Sequence, residues 1–335
     1  FYEKGLNLLK DNGILTYITS NKWMRAAYGE RLRKFLAQHN PLNLIDFAGQ
    51  KVFESATVDV NILICQKSKN QGKTLACTAN NLCKNNLSVF VQQYSVLTNY
   101  HTQESWVILS AIENSISHKI KTVGVPLRNW DINIYRGILT GFNDAFIIDT
   151  NKKNQLIEED PKSAEIIRPI LRGRDIGRYN YNFAELWLIN VHNGIKSQNI
   201  DPININEYPA IKAHLKRYYS DLAKRADKGD TPYNLRNCVY LDDFSKQKIV
   251  WKRIGSKIRF CYDDSGLFCL DSTCFATGIH IQYLAALLNT YVGNFLFKDS
   301  PKTGTGDLLI SVQAFDPIWV PIPTQEQEQT IIELL

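Results

Sequence analysis

The sequence predicts an α/β fold in which the end of a Rossmann-like sheet precedes a mixed α/β domain. Apolar runs typical of buried strands occupy residues 14–19, 42–47 and 57–65. Amphipathic stretches at 1–10 and 25–38 predict helices before the first and the second of these strands. Because no helical stretch separates the second strand from the third, we expect the third to run in reverse at the edge of a parallel sheet.

The next stretch changes character and predicts a connector. Residues 66–86 are polar, rich in Asn and Lys, and contain Gly72 as a breaker. Alternating apolar residues at 87–103 predict one further strand. Ser110 is placed to cap a helix that carries isoleucine at every fourth position. We therefore place a domain boundary near residue 105.

Composition limits the classes of function. The 335 residues carry 39 Lys and Arg against 33 Asp and Glu, a net charge of +6 that suits a polyanionic partner. The seven cysteines form no Cys-x-x-Cys pair, which favours free thiols, a cytoplasmic location and no metal site. The most apolar helical stretch, 280–298, is interrupted by Gln and Asn, which argues against a membrane partner.

A segment rich in arginine and glycine is the first candidate for contact with a nucleic acid. Residues 166–179 hold four arginines against one acid, and Pro169 and two glycines rule out one long helix. Arginine forks suit bidentate contact with phosphate or guanine edges, and the upstream turn at 140–143 is suited to present backbone amides to a phosphate. A solvated basic loop paired with local carboxylates explains the arginines equally well. The candidate DNA-binding residues here are Thr140, Asn143, Arg168, Arg172, Arg174 and Arg178.

Two later basic segments are further candidates. Residues 212–228 predict a helix with a basic face. A more specific interpretation is that this face contacts a DNA backbone. Residues 246–259 alternate basic and apolar side chains and predict a strand pair with a turn at Gly255-Ser256, as a groove-facing hairpin needs. Trp251 in this pair is expected in the core. The basic residues of the helix are Lys216, Arg217, Lys224 and Arg225, and the candidate DNA-binding residues of the strand pair are Lys252, Arg253, Lys257 and Arg259.

The N-terminal stretch resembles a known family. GILTYITSNKWMRAAYGERLRKFL at 13–36, followed by IDFAGQKVFESATVDVNILIC at 45–65, is similar to the closing part of the catalytic domain of TaqI-like adenine-specific DNA methyltransferases. In that family an aromatic residue in a Val-Phe-Pro/Glu loop stacks on the adenine rotated out of the duplex, and Phe53 occupies the matching position. A flipped base needs a flat apolar surface in place of its lost stacking partners. The resemblance implies this role for Phe53, whereas the residues alone favour a core-capping aromatic.

Four downstream motifs resemble the C-terminal specificity domain of the same family. They are GILTGFNDAF at 137–146, RPILRGRDI at 168–176, KIVW at 248–251 and PIP at 321–323. Their order and spacing extend the resemblance along nearly the whole chain. It implies the C-terminal part of a methyltransferase domain at 1–70, a connector at 71–105, a target-recognition domain at 106–323 and the start of a following helix at 324–335.

The chain lacks two signatures of that family. It has no glycine-containing strand-to-helix turn for S-adenosylmethionine and no Asn-Pro-Pro-Tyr type tetrapeptide, and its one Gly-x-Gly, at 304–306, lies far downstream. We therefore expect a fragment of a type IIG-like enzyme that begins after the tetrapeptide, with the rest of the polypeptide upstream. S-adenosylmethionine would bind in the intact enzyme, and the fragment alone would be inactive. An endonuclease domain, if one is fused, would also lie upstream.

The resemblance implies sequence-specific DNA recognition in restriction–modification or phage defence. The intact enzyme would transfer a methyl group from S-adenosylmethionine to the amino group of a flipped adenine in double-stranded DNA. The alternative is a non-enzymatic DNA-specificity subunit of a type I restriction system, which carries the same kind of domain. Residues 1–65 distinguish the methyltransferase from the specificity subunit, because such a subunit has no reason to carry a methyltransferase sheet edge. A DNA-binding module of unrelated role is the third interpretation.

Overall fold

The chain folds into two units, each with its own sheets. The computed structural model describes residues 1–47, 50, 52–54, 58–80, 83, 86–301, 303 and 307–334. The first unit comprises Phe1–Gly124, Asp299–Leu308 and Trp319–Pro321, and the second comprises Val125–Lys298, Leu309–Ile318 and Ile322–Leu335. Both units contain helices and strands, so the predicted mixed α/β class is confirmed.

The first unit is built on a five-stranded sheet. Its elements up to residue 124 are α1 Tyr2–Leu8, β1 Ile14–Ser20, α2 Glu30–Gln38, β2 Asn40–Asp46, β3 Val60–Gln66, β4 Thr74–Thr78, α3 Leu87–Tyr94, β5 Val96–Thr98 and α4 Ala111–Val123. The strands lie in the order β1-β3-β2-β4-β5. β3 is antiparallel to both β1 and β2, β4 is parallel to β2, and β5 is antiparallel to β4.

The reversed strand lies inside this sheet. β3 pairs with the whole of β1, from Ile14 opposite Gln66 to Ser20 opposite Val60, and with β2 on its other side. The direction of β3 was predicted correctly, but the prediction that it forms the sheet edge is wrong. An apolar run reports that a strand is buried, whereas its neighbours depend on pairing with residues far away in sequence.

Helices pack on both faces of the sheet. Leu44 of β2 lies in a hydrophobic cluster with Leu6 of α1 and Leu36 of α2. The next residue, Ile45, lies in a separate cluster with Phe90 of α3. Because successive side chains of a strand point to opposite faces, β2 is covered on both sides, as is usual in α/β sheets.

The strand predicted at 87–103 is mostly a helix. Residues 87–94 form α3, and only Val96–Thr98 form a strand. The side chain of Asn86 caps the helix by accepting the N–H of Val89 (3.1 Å), and Phe90 stacks on Tyr94 one turn later, with ring centroids 4.7 Å apart. The N-cap and the aromatic pair at i,i+4 favour the helix over the apolar alternation.

The second unit contains two four-stranded sheets. From residue 125 onward the elements are β6 Val125–Pro126, β7 Ile132–Arg136, α5 Asn143–Phe146, β8 Ile147–Asp149, α6 Thr150–Glu159, β9 Ile167–Leu171, β10 Leu186–Ile189, α7 Pro209–Lys216, α8 Tyr219–Lys224, β11 Lys248–Lys252, β12 Ile254–Gly255, β13 Phe260–Asp263, β14 Phe268–Cys269, β15 Thr273–Gly278, α9 Ile281–Leu288, α10 Tyr291–Phe297, β16 Leu308–Leu309, α11 Val312–Phe315, β17 Trp319–Val320 and α12 Gln325–Glu333. One sheet has the order β14-β9-β10-β8, and the other has the order β13-β11-β15-β7.

One aromatic cluster joins these two sheets. Phe244 stacks on Phe268 of β14, with ring centroids 4.7 Å apart, and lies 4.6 Å from Phe275 of β15.

Trp251 of β11 is fully buried and donates its indole N–H to the carbonyl of Ile310 (2.9 Å), so its predicted place in the core is confirmed.

Two further local predictions concern helices of the chain. Residues 143–146 form the short helix α5, and β8 follows it directly. The single helix predicted at 212–228 is two helices, α7 and α8. The capping boxes of α4 (Ser110 with Glu113) and α12 are both present. No helix among the described residues is long and apolar enough to cross a membrane.

Candidate nucleic-acid interface

A glycine turn after β9 anchors the first basic segment in the second unit. The N–H of Gly173 donates to Oγ of Ser272 (2.9 Å), and a Cβ at this glycine would lie 2.8 Å from the Ser272 carbonyl oxygen. A larger residue therefore does not fit without a shift. The side chain of Lys252, at the end of β11, lies against the same glycine. The turn after β9 and the end of β11 therefore meet in one surface.

A two-residue hairpin continues this surface. Ile176 pairs antiparallel with Tyr181, and the N–H of Gly177 donates to the carbonyl of Asn180 (2.8 Å). Residues 178 and 179 form the tip, and both are exposed.

The tip of the hairpin is attached to β13. The N–H of Tyr179 donates to the carbonyl of Phe260 (2.9 Å), and Tyr179 pairs with Cys261. Arg259 directly precedes Phe260 and is exposed. Arg178 and Arg259, which are far apart in sequence, are therefore carried by neighbouring segments.

Five exposed cations from these segments form what we call the basic surface. Lys252 lies beside Gly255, which the backbone of Lys257 also approaches. The members of the basic surface are Arg174, Arg178, Lys252, Lys257 and Arg259. None of the five forms a salt bridge with a carboxylate of the described residues. The structure thus brings together five of the ten predicted DNA-binding residues, none of them ion-paired within the described residues.

Arg172 is a sixth predicted DNA-binding residue, but its side chain binds Asp175 within the turn. Its Nε and Nη2 donate to the two oxygens of Asp175 at 3.0 and 2.8 Å, and its backbone N–H donates to the same carboxylate at 2.8 Å. Asp175 is buried, and its hydrogen bond raises the pKa of Arg172. This bidentate pair holds the turn that displays Arg174.

Arg253 and Arg168 are half-buried. The backbone of Arg253 donates to Ser272 (3.0 Å), and its Nε is buried without a partner among the described residues. Arg168 donates to the carbonyl of Ile167 (3.0 Å) and lies near His192. Burial, and to a lesser extent the charge of Arg168, lowers the pKa of His192.

The predicted phosphate-binding turn at 140–143 is held from inside the protein. Thr140 is buried, and its hydroxyl hydrogen-bonds to Oδ1 of Asn143 (2.6 Å), while Asn143 itself is exposed. The guanidinium of Arg225 donates to the carbonyl of Thr140 and lies over the ring of Phe146 at 4.7 Å. Arg225 is buried, which lowers its pKa, so its expected place on a solvent-facing basic side of a helix is wrong. Nothing in the residue spacing separated this arginine from its exposed neighbours.

Phe53 belongs to the first unit, in the loop between β2 and β3. Of the side chains in this loop, Phe47 is buried at 8% exposure, whereas Phe53 is 42% exposed. The loop begins where β2 ends, and ligands of α/β domains gather at the C-terminal ends of parallel strands. The exposed ring therefore lies at the edge of the sheet where a ligand is expected.

A buried polar network lies at the same strand ends. Asp46, the last residue of β2, accepts hydrogen bonds from Asn21 (2.7 Å) and Arg25 (3.2 Å). Oδ1 of Asn61 accepts from the indole of Trp23 (3.3 Å). We identified none of these residues from the sequence. The available signal was a polar side chain near the end of one apolar run (Asp46) and within another (Asn61).

The described residues contain no group of three or more His, Cys, Asp or Glu side chains placed to hold a metal ion. The seven cysteines are all unpaired.

Two segments of the chain match known families. Residues 1–53 match the Eco57I restriction-modification methylase, and residues 168–309 match the TaqI-like C-terminal specificity domain. The predicted resemblance is therefore confirmed: the chain is related to the type II restriction–modification methyltransferases.

Individual relatives agree with this. The type II methyltransferase M.BstVI of Geobacillus stearothermophilus is 20% identical over 364 positions, which cover 99% of this chain and 63% of that protein. The type II restriction enzyme and methyltransferase RM.Eco57I of Escherichia coli is 32% identical over 71 residues, 21% of this chain and 7% of that one. The type IIL restriction–modification enzyme MmeI, solved in complex with DNA, has a similar fold, with a TM-score of 0.60 at 12% identity over 97% of this chain and 41% of its own. The chain thus spans less than two thirds of the length of these relatives.

Proposed function

We propose that the second unit recognises a specific sequence of double-stranded DNA on behalf of an adenine-specific DNA methyltransferase. The observation that carries this proposal is the basic surface, in which five exposed cations from neighbouring segments form no salt bridge with a carboxylate of the described residues. Such cations gain most from neutralising phosphates and releasing counterions. Exposed arginines among them also suit bidentate contact with guanine edges.

The match of residues 168–309 to a specificity domain supports sequence-specific readout over nonspecific attachment. The match of residues 1–53 to a methylase supports an enzyme over a type I specificity subunit. A DNA partner and seven unpaired cysteines both favour a cytoplasmic location.

In the intact enzyme we propose that the target adenine is rotated out of the duplex and stacks on Phe53. A ring with 42% exposure at the strand-end edge offers an apolar face to an unstacked base. The methyl group would come from S-adenosylmethionine. Among the described residues, β1 leads directly into the turn Asn21–Met24, which contains no glycine and does not fit that cofactor. The Gly-x-Gly at 304–306 lies outside the described residues. We therefore expect no binding of S-adenosylmethionine and no methyl transfer by this chain alone, and isothermal titration with the cofactor tests the first point.

Binding of duplex DNA at several salt concentrations tests the recognition proposal. Fluorescence anisotropy should give an affinity that falls steeply with salt, with a log–log slope of about −0.9 for each neutralised phosphate. The double variant Arg174→Ala/Lys252→Ala should weaken binding and make the slope less negative by about 2.

A charge-matched control is Lys162→Ala/Arg236→Ala, which removes two cations already paired with Glu207 and Asp227. It should leave the slope nearly unchanged. If the two double variants change the slope equally, net charge rather than the basic surface governs binding. If neither changes it, the surface faces away from DNA and the proposal fails.

A further inference from the structure

We infer that Tyr179 is a base-stacking residue of the second unit, which contacts a base of bound DNA while the surrounding cations hold the phosphates. The inference rests on the proposed DNA recognition and adds a non-electrostatic contact to it. Four features of Tyr179 support this: its backbone conformation, its anchoring, its exposure and its neighbours.

The backbone of Tyr179 is in the left-handed region, with φ of +70°. This conformation crowds Cβ against the following carbonyl group, so glycine, asparagine or aspartate usually occupies it. A bulky aromatic residue there is a clear departure. Strained positions of this kind persist where the surrounding structure enforces them, and they concentrate at binding sites.

The strain is enforced by anchoring on both sides. The tip is closed by the hydrogen bond from Gly177 to Asn180, and a Cβ at Gly177 would lie 2.2 Å from Oδ1 of Asn180. The N–H of Tyr179 is fixed to Phe260. A side chain on a tip held this way is pre-organised, so little conformational entropy is lost when a ligand binds.

Packing does not explain the aromatic ring. Tyr179 is 39% exposed, and the hydrophobic cluster that includes its neighbour Tyr181 does not include Tyr179. A ring that is strained by its backbone and yet remains at the surface contributes little to folding. At 39% exposure, part of the ring surface is open to a partner.

The neighbours define the chemistry of that partner. The guanidinium of Arg178 lies over the ring at 5.1 Å from its centroid, and Arg259 is on the adjoining segment. Aromatic rings beside cations are the arrangement that binds bases and phosphates together, because every base has a face that can stack. We therefore assign a nucleobase, rather than a peptide or a lipid, as the group that Tyr179 contacts.

The test compares Tyr179→Gly with Tyr179→Phe and with Arg174→Ala, using a fluorescein-labelled duplex of mixed sequence and anisotropy at several salt concentrations. Tyr179→Gly removes the ring and relieves the backbone strain. It should reduce DNA affinity about tenfold while leaving the salt slope unchanged, since a neutral ring displaces no counterions. Its melting temperature should be equal to or above that of the natural chain. Tyr179→Phe should restore most of the affinity, and Arg174→Ala should make the slope less negative by about 1.

Each other outcome overturns the inference. If Tyr179→Gly binds as tightly as the natural chain, the ring contacts no base. If it lowers the melting temperature together with the affinity, the ring is structural. If Tyr179→Phe fails to restore binding, the hydroxyl and not the stacking face is responsible. Failure of the natural chain to bind duplex DNA at all is a different result, which removes the proposed function itself.

Discussion

The ammonium group of Lys248 and the carboxylate of Asp263 form an ion pair in which both side chains are fully buried. The same carboxylate accepts the N–H of Leu267 (3.2 Å) and the hydroxyl of Ser265 (2.6 Å), and the ammonium also donates to the carbonyl of Phe244 (2.5 Å). Such complete hydrogen bonding is the condition under which a buried pair offsets its loss of hydration. Lys248 begins β11 and forms this buried ion pair, whereas Lys252 ends the same strand, is exposed and belongs to the basic surface.

Lys248→Ala should lower the free energy of unfolding by about 3–5 kcal/mol, because Asp263 would remain buried without its partner. Lys252→Ala is the matched control: the same residue type on the same strand, expected to change stability by less than about 0.5 kcal/mol. Urea denaturation of both variants measures this. Equal stabilities would contradict the buried pair.

The two arginines that flank Gly173 should differ in effect, one acting on stability and the other on DNA binding. Arg172→Ala removes the bidentate contact with the buried Asp175 and should cost about 1.5–3 kcal/mol of unfolding free energy. Arg174→Ala removes an exposed side chain and should leave stability unchanged while weakening DNA binding. Thermal denaturation measures the stability of each variant, and fluorescence anisotropy measures its DNA affinity. A loss of affinity confined to Arg172→Ala would reverse the assignment.

Local patterns predicted the first three strands of the first unit and the start of α4, because burial and helix capping depend on neighbouring residues. They missed the buried strand β4, which lies in the stretch predicted to be a connector. The apolar runs give β1, β2 and β3, and the Ser110 cap gives the start of α4. The position of β3 inside the sheet could not be predicted this way, since pairing with β1 depends on residues more distant than any local window.

The candidate site shows the same limit. The types and segments of the basic residues were visible in the sequence, but burial was not. Lys248 and Arg225 look like their exposed neighbours in the pattern, yet both are buried. Conversely, the left-handed backbone of Tyr179 has no sequence signal, because a glycine or asparagine would have been expected there.

His214 should make stability sensitive to acid. It is buried, its Nε2 donates to the carbonyl of Ala145 (2.9 Å), and its Nδ1 has no partner among the described residues. Burial lowers the pKa of His214, and the bond to Ala145 only partly opposes this. Because the folded-state pKa lies below the unfolded value of about 6.5, the unfolded chain binds the proton first. The titration of His214 therefore leaves the free energy of unfolding unchanged above about pH 6.5. It lowers the free energy of unfolding as the pH falls through and below this value.

The variant His214→Gln keeps a donor for Ala145 but does not titrate. Its unfolding free energy should fall less between about pH 7.5 and about pH 5 than that of the natural chain. His192 and His39 also have lowered pKa values, so part of the acid sensitivity should remain. An unchanged pH profile in urea titrations would show that His214 is not responsible.

Phe53 and Phe47 offer the sharpest test of the first unit, since they share one loop. Phe47→Ala should cost about 3–5 kcal/mol, as expected for a buried aromatic side chain, whereas Phe53→Ala should change stability little because the ring is 42% exposed. In the intact enzyme Phe53→Ala should instead weaken binding of an extrahelical adenine by about 1–3 kcal/mol and slow methylation. Melting temperatures of this chain and 2-aminopurine fluorescence of duplex DNA bound to the intact enzyme measure the two effects. A large drop in melting temperature for Phe53→Ala would return Phe53 to the core-capping role, because a ring that supports a flipped base has little packing of its own to lose.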